Sequence, residues 1–342
     1  MNSNLISKIK KLLKSSKNIV IISHTNPDGD AVGSSLALYT LFKKLNYSVS
    51  SILPNNFPSF LSWMNASDEI LICSKNSNKC ISLLNNADII FCLDFNSPER
   101  VDKLSDPLKN AKGVKILIDH HIEPENTFDY IFSDTKTSST AELIYNFIDA
   151  LGYKKLIDKS IAENLYVGIC TDTGSFSYSC DYPDTFRITT ELIKFRINSE
   201  KIHHLVYDTF SEKRMRLIGY CLSEKLVVFD EYKTAYISIS KEDKKKFDFQ
   251  VGDSEGIVNY PLSIKNIYFA VLLTEKDNGK GIKISFRSKG NFSVNDFANK
   301  HFEGGGHRNA AGGNSYVTLD ETIKKFRELL PLYKNELNNT VL

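Results

Sequence analysis

Three short apolar runs, each stopping at an acidic residue or a histidine, constrain this chain more than any other feature. Asn18-Ile19-Val20-Ile21-Ile22-Ser23 stops at His24, Ala87-Asp88-Ile89-Ile90-Phe91-Cys92-Leu93 at Asp94, and Val114-Lys115-Ile116-Leu117-Ile118 at Asp119-His120-His121. Short, nearly unbroken apolar runs read as strands buried on both faces, the usual state in a parallel sheet. Helical patterns separate them, as crossover connections require. In an open parallel sheet ligands bind beyond the carboxyl ends of the strands, and that is where these polar residues fall. Residues 1–195 are therefore expected to form an α/β domain on a parallel sheet.

The first run leads into His24-Thr25-Asn26-Pro27-Asp28-Gly29-Asp30, and a helical pattern with Val32, Leu36, Tyr39, Phe42 and Leu45 on one side follows. This predicts a strand, a tight turn and a helix start. Pro27 stiffens the turn, and Gly29 is expected to let the backbone bend between two carboxylates. A turn that only reverses the chain needs one Asp at most, for instance Asp30 as helix N-cap. Here His24, Asp28 and Asp30 all offer metal-ligating atoms within one turn.

Further on, 47–53 reads as a strand and the Ser/Asn/Lys run 74–79 as an exposed loop. Residues 138–151 read as a helix with Ser138 or Ser139 and Glu142 in a capping box. A second helix, 157–170, runs into Thr171-Asp172-Thr173-Gly174, and a third covers 184–195. Residues 196–216 read as a polar helical connector, long enough to act as a hinge. From 217 to 342 the texture changes to a second, smaller α/β domain. Its strands are expected at 222–229, 233–240, 264–274 and 281–288, with turns at Asp230-Glu231-Tyr232 and Asp277-Asn278-Gly279. A helix over 294–300 leads into Glu303-Gly304-Gly305-Gly306-His307-Arg308, and 319–330 closes the chain as a helix. Three successive glycines allow backbone N–H groups to approach phosphate oxygens, with His307 and Arg308 as added donors.

Charge narrows the partners. With a formal net charge of +2 over 342 residues, no broad basic surface is expected for long duplex nucleic acid. A small ligand with a few phosphates remains compatible. No apolar run approaches the ~18 residues needed to span a bilayer. The Lys-rich amphipathic N-terminus does not read as a secretory signal. Six cysteines, at 73, 80, 92, 170, 180 and 221, form no C-x-x-C pair, and Cys92 and Cys170 sit in apolar surroundings. The expectation is a reduced, cytoplasmic protein. His203, His204 and His301 are read as surface residues.

Asp28, Asp30, Asp94 and Asp172 bring four negative charges, which two divalent cations would balance. Four clustered carboxylates without cations would repel, and some would protonate. Two ions about 3.5–4 Å apart make a hydrolytic centre, and Asp/His ligation without Cys suits Mn²⁺, Mg²⁺ or Zn²⁺.

His24 to Asp30, then Asp94, then Asp119-His120-His121, then Asp172 resemble the four motifs of the DHH phosphoesterase superfamily, in the right order. Gly304-Gly305-Gly306-His307 resembles the signature of the DHH-associated C-terminal domain, so the resemblance covers nearly the whole chain. It implies that His24 and Asp28 hold one ion, that Asp30, His120 and Asp172 hold the other, and that Asp94 bridges them. It further implies that His121 donates to the scissile phosphate, with Asp119 orienting an imidazole, and that Arg287 binds substrate beside Gly304, Gly305, Gly306, His307 and Arg308. The implied cofactors are two divalent ions, Mn²⁺ before Mg²⁺. The implied substrates are very short RNA and the 3′-phosphate of 3′-phosphoadenosine 5′-phosphate, with cyclic di-AMP or linear diadenylate as the alternative. Short RNA or small phosphorylated nucleotides are the expected partners, membranes are not, and a homodimer is allowed. Family II pyrophosphatases share the first four motifs but lack the Gly-rich His segment. RecJ-type exonucleases are usually longer. A non-catalytic nucleotide-binding regulator would show a lost ligand, and none is lost.

Overall fold

The computed structural model describes residues 3–178, 180–250, 252–276 and 281–341 and divides into two compact units, Met1–Thr209 and Phe210–Leu342. The polar stretch 196–216, expected as one connector, is shared between them. Helix Ser199–Tyr207 closes the first unit and helix Glu212–Tyr220 opens the second.

The first unit is built on six strands: β1 (Asn18–Ser23), β2 (Ser48–Leu53), β3 (Leu71–Ile72), β4 (Ile89–Leu93), β5 (Val114–Asp119) and β6 (Tyr130–Ser133). All neighbouring pairs are parallel, in the order β3-β2-β1-β4-β5-β6. Strand order reverses between β1 and β4, and the crevice at such a switch point is where open α/β sheets bind ligands. Every residue of β4 is buried, because helices cover both faces. The helices are α1 (Ser3–Ser15), α2 (Gly29–Lys44), α3 (Ser77–Asn85), α4 (Ser105–Asn110), α5 (Thr140–Ala150), α6 (Lys159–Asp172), α7 (Pro183–Ile193) and α8 (Ser199–Tyr207). Phe42, Phe91 and Phe147 pack ring against ring through one layer of the core.

Helices α2 and α6 approach closely because their contact is made of glycines. A Cβ on Gly29 would stand 2.3 Å from Thr171 Oγ1, one on Gly33 2.4 Å from the Asn164 carbonyl oxygen, and one on Gly168 2.8 Å from Asp30 Oδ1. Gly29 is thus the first residue of α2, without a positive φ, and close approach, rather than bending between carboxylates, is what requires it.

Other expectations also change. The stretch 74–79 is not simply an exposed loop: α3 begins at Ser77, and Cys80 is buried and bridged to Cys73. The cysteines are therefore not all free thiols, although Cys92, Cys170, Cys180 and Cys221 are. His203 and His301 are half-buried and bonded, to the Ser175 hydroxyl at 3.2 Å and the Tyr333 hydroxyl at 2.7 Å, and only His204 is exposed.

The second unit carries a mixed sheet in the order β11-β12-β10-β9-β8-β7. Its strands are β7 (Leu226–Phe229), β8 (Thr234–Ile239), β9 (Phe269–Glu275), β10 (Ile282–Ser288), β11 (Gly305–His307) and β12 (Ala310–Ser315). Only β8 and β9 pair in parallel. Helices α9 (Glu212–Tyr220), α10 (Lys241–Lys246), α11 (Val294–His301) and α12 (Leu319–Asn338) accompany it. The turn expected at Asp277-Asn278-Gly279 lies outside the described residues. Within the Gly-rich segment, Gly305–His307 forms β11. Phe269, Phe286, Phe297 and Phe326 make the centre of an aromatic core. No helix among the described residues is long and apolar enough to cross a membrane.

Candidate metal centre

The carboxyl ends of β1, β4 and β5 gather the polar residues that ended the three apolar runs. His24 follows β1, Asp94 follows β4, and Asp119 ends β5 with His120 and His121 behind it. Asp28 is the N-cap of α2, not Asp30. Its Oδ1 accepts from the backbone N–H groups of Asp30 and Ala31 at 3.0 and 3.1 Å. Asp172 ends α6, so the glycine-mediated approach of α2 and α6 is what brings Asp30 and Asp172 together.

Ligand-type atoms within 4.8 Å of one another include His24, Asp28 and Asp94, and Asp30, His120 and Asp172; Asp94, Asp119 and His121 form a further overlapping group. Asp94 faces both of the first two. Its Oδ2 lies 3.4 Å from His24 Nε2 and its Oδ1 3.5 Å from His120 Nε2. His120 Nε2 is also 3.3 Å from Asp172 Oδ2 and 3.9 Å from Asp30 Oδ2. Asp94 holds a left-handed backbone, φ +64°, a conformation that costs energy in a non-glycine residue and clusters at functional sites.

Hydrogen bonds set which nitrogen each imidazole offers. His24 Nδ1–H donates to the Thr25 carbonyl at 2.9 Å, which leaves Nε2 as the lone-pair nitrogen facing Asp94. His121 Nδ1–H donates to Asp119 Oδ1 at 2.7 Å, and Asp119 is fully buried.

The electrostatics call for cations. Burial, then the neighbouring Asp94 and Asp28, pushes the Asp30 carboxyl well above the ordinary range. Burial, then Asp28 and Asp172, does the same to Asp94. Asp28 is pushed up by burial, but the His24 charge and its two backbone donors outweigh that and hold it low. Burial, helped by the Arg100 guanidinium, pushes His121 down to about 3 and His24 below its usual value. Buried carboxylates that raise each other, beside a His24 imidazole whose protonated form burial disfavours, make a donor set that fits divalent ions.

Sequence reasoning missed two contributors. Arg100 lies in a 3₁₀ helix, Pro98–Leu104, after β4; its carbonyl accepts from Thr25 N–H at 2.8 Å, and its charge acts on both His24 and His121. A basic residue six positions beyond Asp94, past the carboxyl end of a strand, was the available signal. The other is Thr140 at the start of α5, whose hydroxyl donates to Asp94 Oδ1 at 3.0 Å.

In the second unit, Arg287, Ala310 and His307 are direct cross-strand partners on β10, β12 and β11. They share one face of the sheet, opposite to buried Phe286. Arg308 is exposed and its Nη2 donates to the Asn291 carbonyl at 3.0 Å, so it is held away from that row. The glycines differ from the phosphate-cradle expectation. Gly304 N–H donates to the Ala298 carbonyl at 3.3 Å and Gly306 N–H to Asn295 Oδ1 at 2.8 Å. A Cβ on Gly304 would stand 2.0 Å from the Gly312 carbonyl oxygen. Close strand packing is the local reason for Gly304, and a backbone φ of +151° is the reason for Gly306.

Known proteins resemble this chain in sequence and fold. The crystal structure of an exopolyphosphatase-related protein from Bacteroides fragilis superposes with a TM-score of 0.94 at 43% identity, covering 99% of this chain and 98% of that one. A probable bifunctional oligoribonuclease and PAP phosphatase NrnA from Streptococcus mutans is 30% identical over 94% of this chain and 97% of its own length. RecJ from Thermus thermophilus in complex with Mn²⁺ shares the fold, with a TM-score of 0.57 at 12% identity over 98% of this chain and 54% of that one. The DHH family N-terminal domain matches residues 18–169 and the DHHA1 domain residues 231–335. The chain belongs to the DHH family of phosphoesterases, with a DHHA1 domain following the unit that gathers the carboxylates and histidines.

Proposed function

We infer that this protein is a two-metal phosphoesterase that hydrolyses very short oligoribonucleotides and the 3′-phosphate of 3′-phosphoadenosine 5′-phosphate. The observation that carries the reading is Asp94, with one carboxylate oxygen toward His24 and the other toward His120. His24 and Asp28 would hold one ion, Asp30, His120 and Asp172 the other, and Asp94 both. Bound divalent ions, Mn²⁺ or Mg²⁺, supply Lewis-acid polarisation of the phosphoryl group and a water of lowered pKa. The NrnA relative is described as acting on oligoribonucleotides and PAP, and the present chain spans nearly all of it.

His121 is the group assigned to the scissile phosphate. Asp119 holds its ring through Nδ1–H, which fixes the direction of Nε2. An anionic phosphate beside the ring opposes the burial and the Arg100 charge that push it down, and so favours the protonated, donating form. Arg287 and His307 are assigned to a terminal phosphate of the substrate. Long duplexes are not expected substrates, since the net charge of +2 leaves no extended electrostatic track.

Replacement of Arg287 by alanine should then raise KM with little change in kcat, because it removes binding remote from the reacting bond. It should also weaken the preference for short substrates. The test is hydrolysis of an oligoribonucleotide ladder from two to about twenty nucleotides, beside 3′-phosphoadenosine 5′-phosphate, linear diadenylate and cyclic di-AMP. Turnover that falls steeply after the shortest members supports the reading. Equal efficiency on the longest members would point to a processive exonuclease instead.

A further inference from the structure

Both carboxylates at the middle of the metal centre are held by one turn of helix that lies outside the ligand motifs. Thr140 and Ala141 are the first two residues of α5. Thr140 N–H donates to Asp30 Oδ2 at 2.6 Å and Ala141 N–H to Asp30 Oδ1 at 2.8 Å. The Thr140 hydroxyl donates to Asp94 Oδ1 at 3.0 Å. Thr140 thus touches two carboxylates that are 110 and 46 positions away in the chain.

The turn itself is braced from behind. Ser139 caps α5 by accepting from Glu142 N–H at 3.2 Å. The Glu142 carboxylate accepts from the Ser138 hydroxyl at 2.7 Å and from the Thr185 hydroxyl on α7 at 2.8 Å. Ser138, Ser139, Thr140, Ala141 and Glu142 are each no more than 2% exposed. A buried polar turn of this kind is rigid because each donor and acceptor it orients would be costly to leave unmade.

The two contacts differ in what they fix. Asp30 is gripped by backbone N–H groups, which any residue but proline at 140 would supply. Asp94 is gripped by a side chain, and that grip fixes the rotation of the carboxylate that turns one oxygen toward His120 and the other toward His24. A carboxylate rotates readily about its last torsion, since sp³–sp² torsions are broad. The positive φ of Asp94 sets where the side chain starts but not how its oxygens divide. The Thr140 hydroxyl takes Oδ1, and its bond leaves Oδ2 toward His24.

We propose that Thr140 is a positioning residue for the metal centre, its hydroxyl orienting Asp94 so that one oxygen serves each ligand group. This rests on the metal-centre reading above. Thr140→Val keeps the shape and the backbone donors to Asp30 and removes the hydroxyl. Thr140→Ser keeps the hydroxyl and removes the methyl.

The experiment is calorimetric titration of chelated protein with Mn²⁺, with the melting temperature of each metal-free protein and its kcat and KM on a diribonucleotide. Loss of a partner that orients a ligand typically costs about 10–100-fold in metal affinity or activity. The expected result is Mn²⁺ binding weakened by about that factor in T140V, kcat lowered with KM little changed, and T140S within a few-fold of wild type. Wild-type Mn²⁺ affinity and kcat in T140V would overturn the proposal, as would equal losses in T140V and T140S. If T140V does not fold, Thr140→Ala takes its place against T140S. Failure of both to fold would overturn the proposal by making the hydroxyl a folding determinant. A wild-type protein that binds no Mn²⁺ would instead remove the metal-centre reading itself.

Discussion

Asp94→Ala is expected to abolish hydrolysis, while Asp119→Ala leaves a measurable rate. Asp94 stands in contact with both ligand groups, its two oxygens 3.4 and 3.5 Å from His24 and His120. Its loss removes the carboxylate that reaches both groups, while Asp28 and Asp30 keep the backbone donors that hold them. Asp119 is assigned to the reaction through His121, whose ring it holds. Its loss frees an imidazole to turn, a change worth about 10–100-fold. Steady-state rates on a diribonucleotide at saturating Mn²⁺ separate the two cases. Mild and equal losses in both variants would mean that Asp94 is not shared between two ions.

Gly168→Ala is expected to cost more activity than its single methyl group suggests. The new Cβ would stand 2.5 Å from Ala141 Cβ and 2.8 Å from Asp30 Oδ1. Helix propensity favours alanine by about 1 kcal/mol, but overpacking in a close-packed core typically costs about 1–3 kcal/mol. The melting temperature should therefore fall by a few degrees, at roughly 2–4 °C per kcal/mol for a unit of this size. The larger effect is on chemistry, since Asp30 must shift and a misplacement near 1 Å can cost about 10²-fold in rate. Gly219→Ala is the matched control. It sits in α9 with nothing within 4 Å of the added Cβ, and should leave both melting temperature and rate unharmed. Wild-type activity in Gly168→Ala would show that α6 can move away from Asp30 without consequence.

The parts of the molecule that were legible beforehand are those with a local signature. β1, β4 and β5 announce themselves as apolar runs, and the ligand residues stand at their ends because a parallel sheet puts its binding crevice there. Edge strands β3 and β6 are short and largely half-buried, so neither alternation nor a long apolar run marks them. β11 is three residues of Gly-Gly-His whose partner strand, not its own propensity, makes it a strand. The Thr140 contacts join residues 46 and 110 positions apart, and nothing in 138–142 beyond a capping pattern hints at a second use. Arg100 acts through space on His24 and His121, and charge alone does not reveal its neighbours. The Cys73–Cys80 bridge spans seven positions and depends on α3 following β3 closely, where a loop was expected.

Hydrolysis by this protein is expected to depend absolutely on metal. The most direct measurement is the rate of diribonucleotide hydrolysis by protein that has been exhaustively chelated, with its metal content determined on the same sample, and then supplied with Mn²⁺ in steps. The expected result is no hydrolysis in the metal-free protein and recovery that saturates when two ions are bound per chain. Full hydrolysis by a sample whose metal content is zero would contradict it.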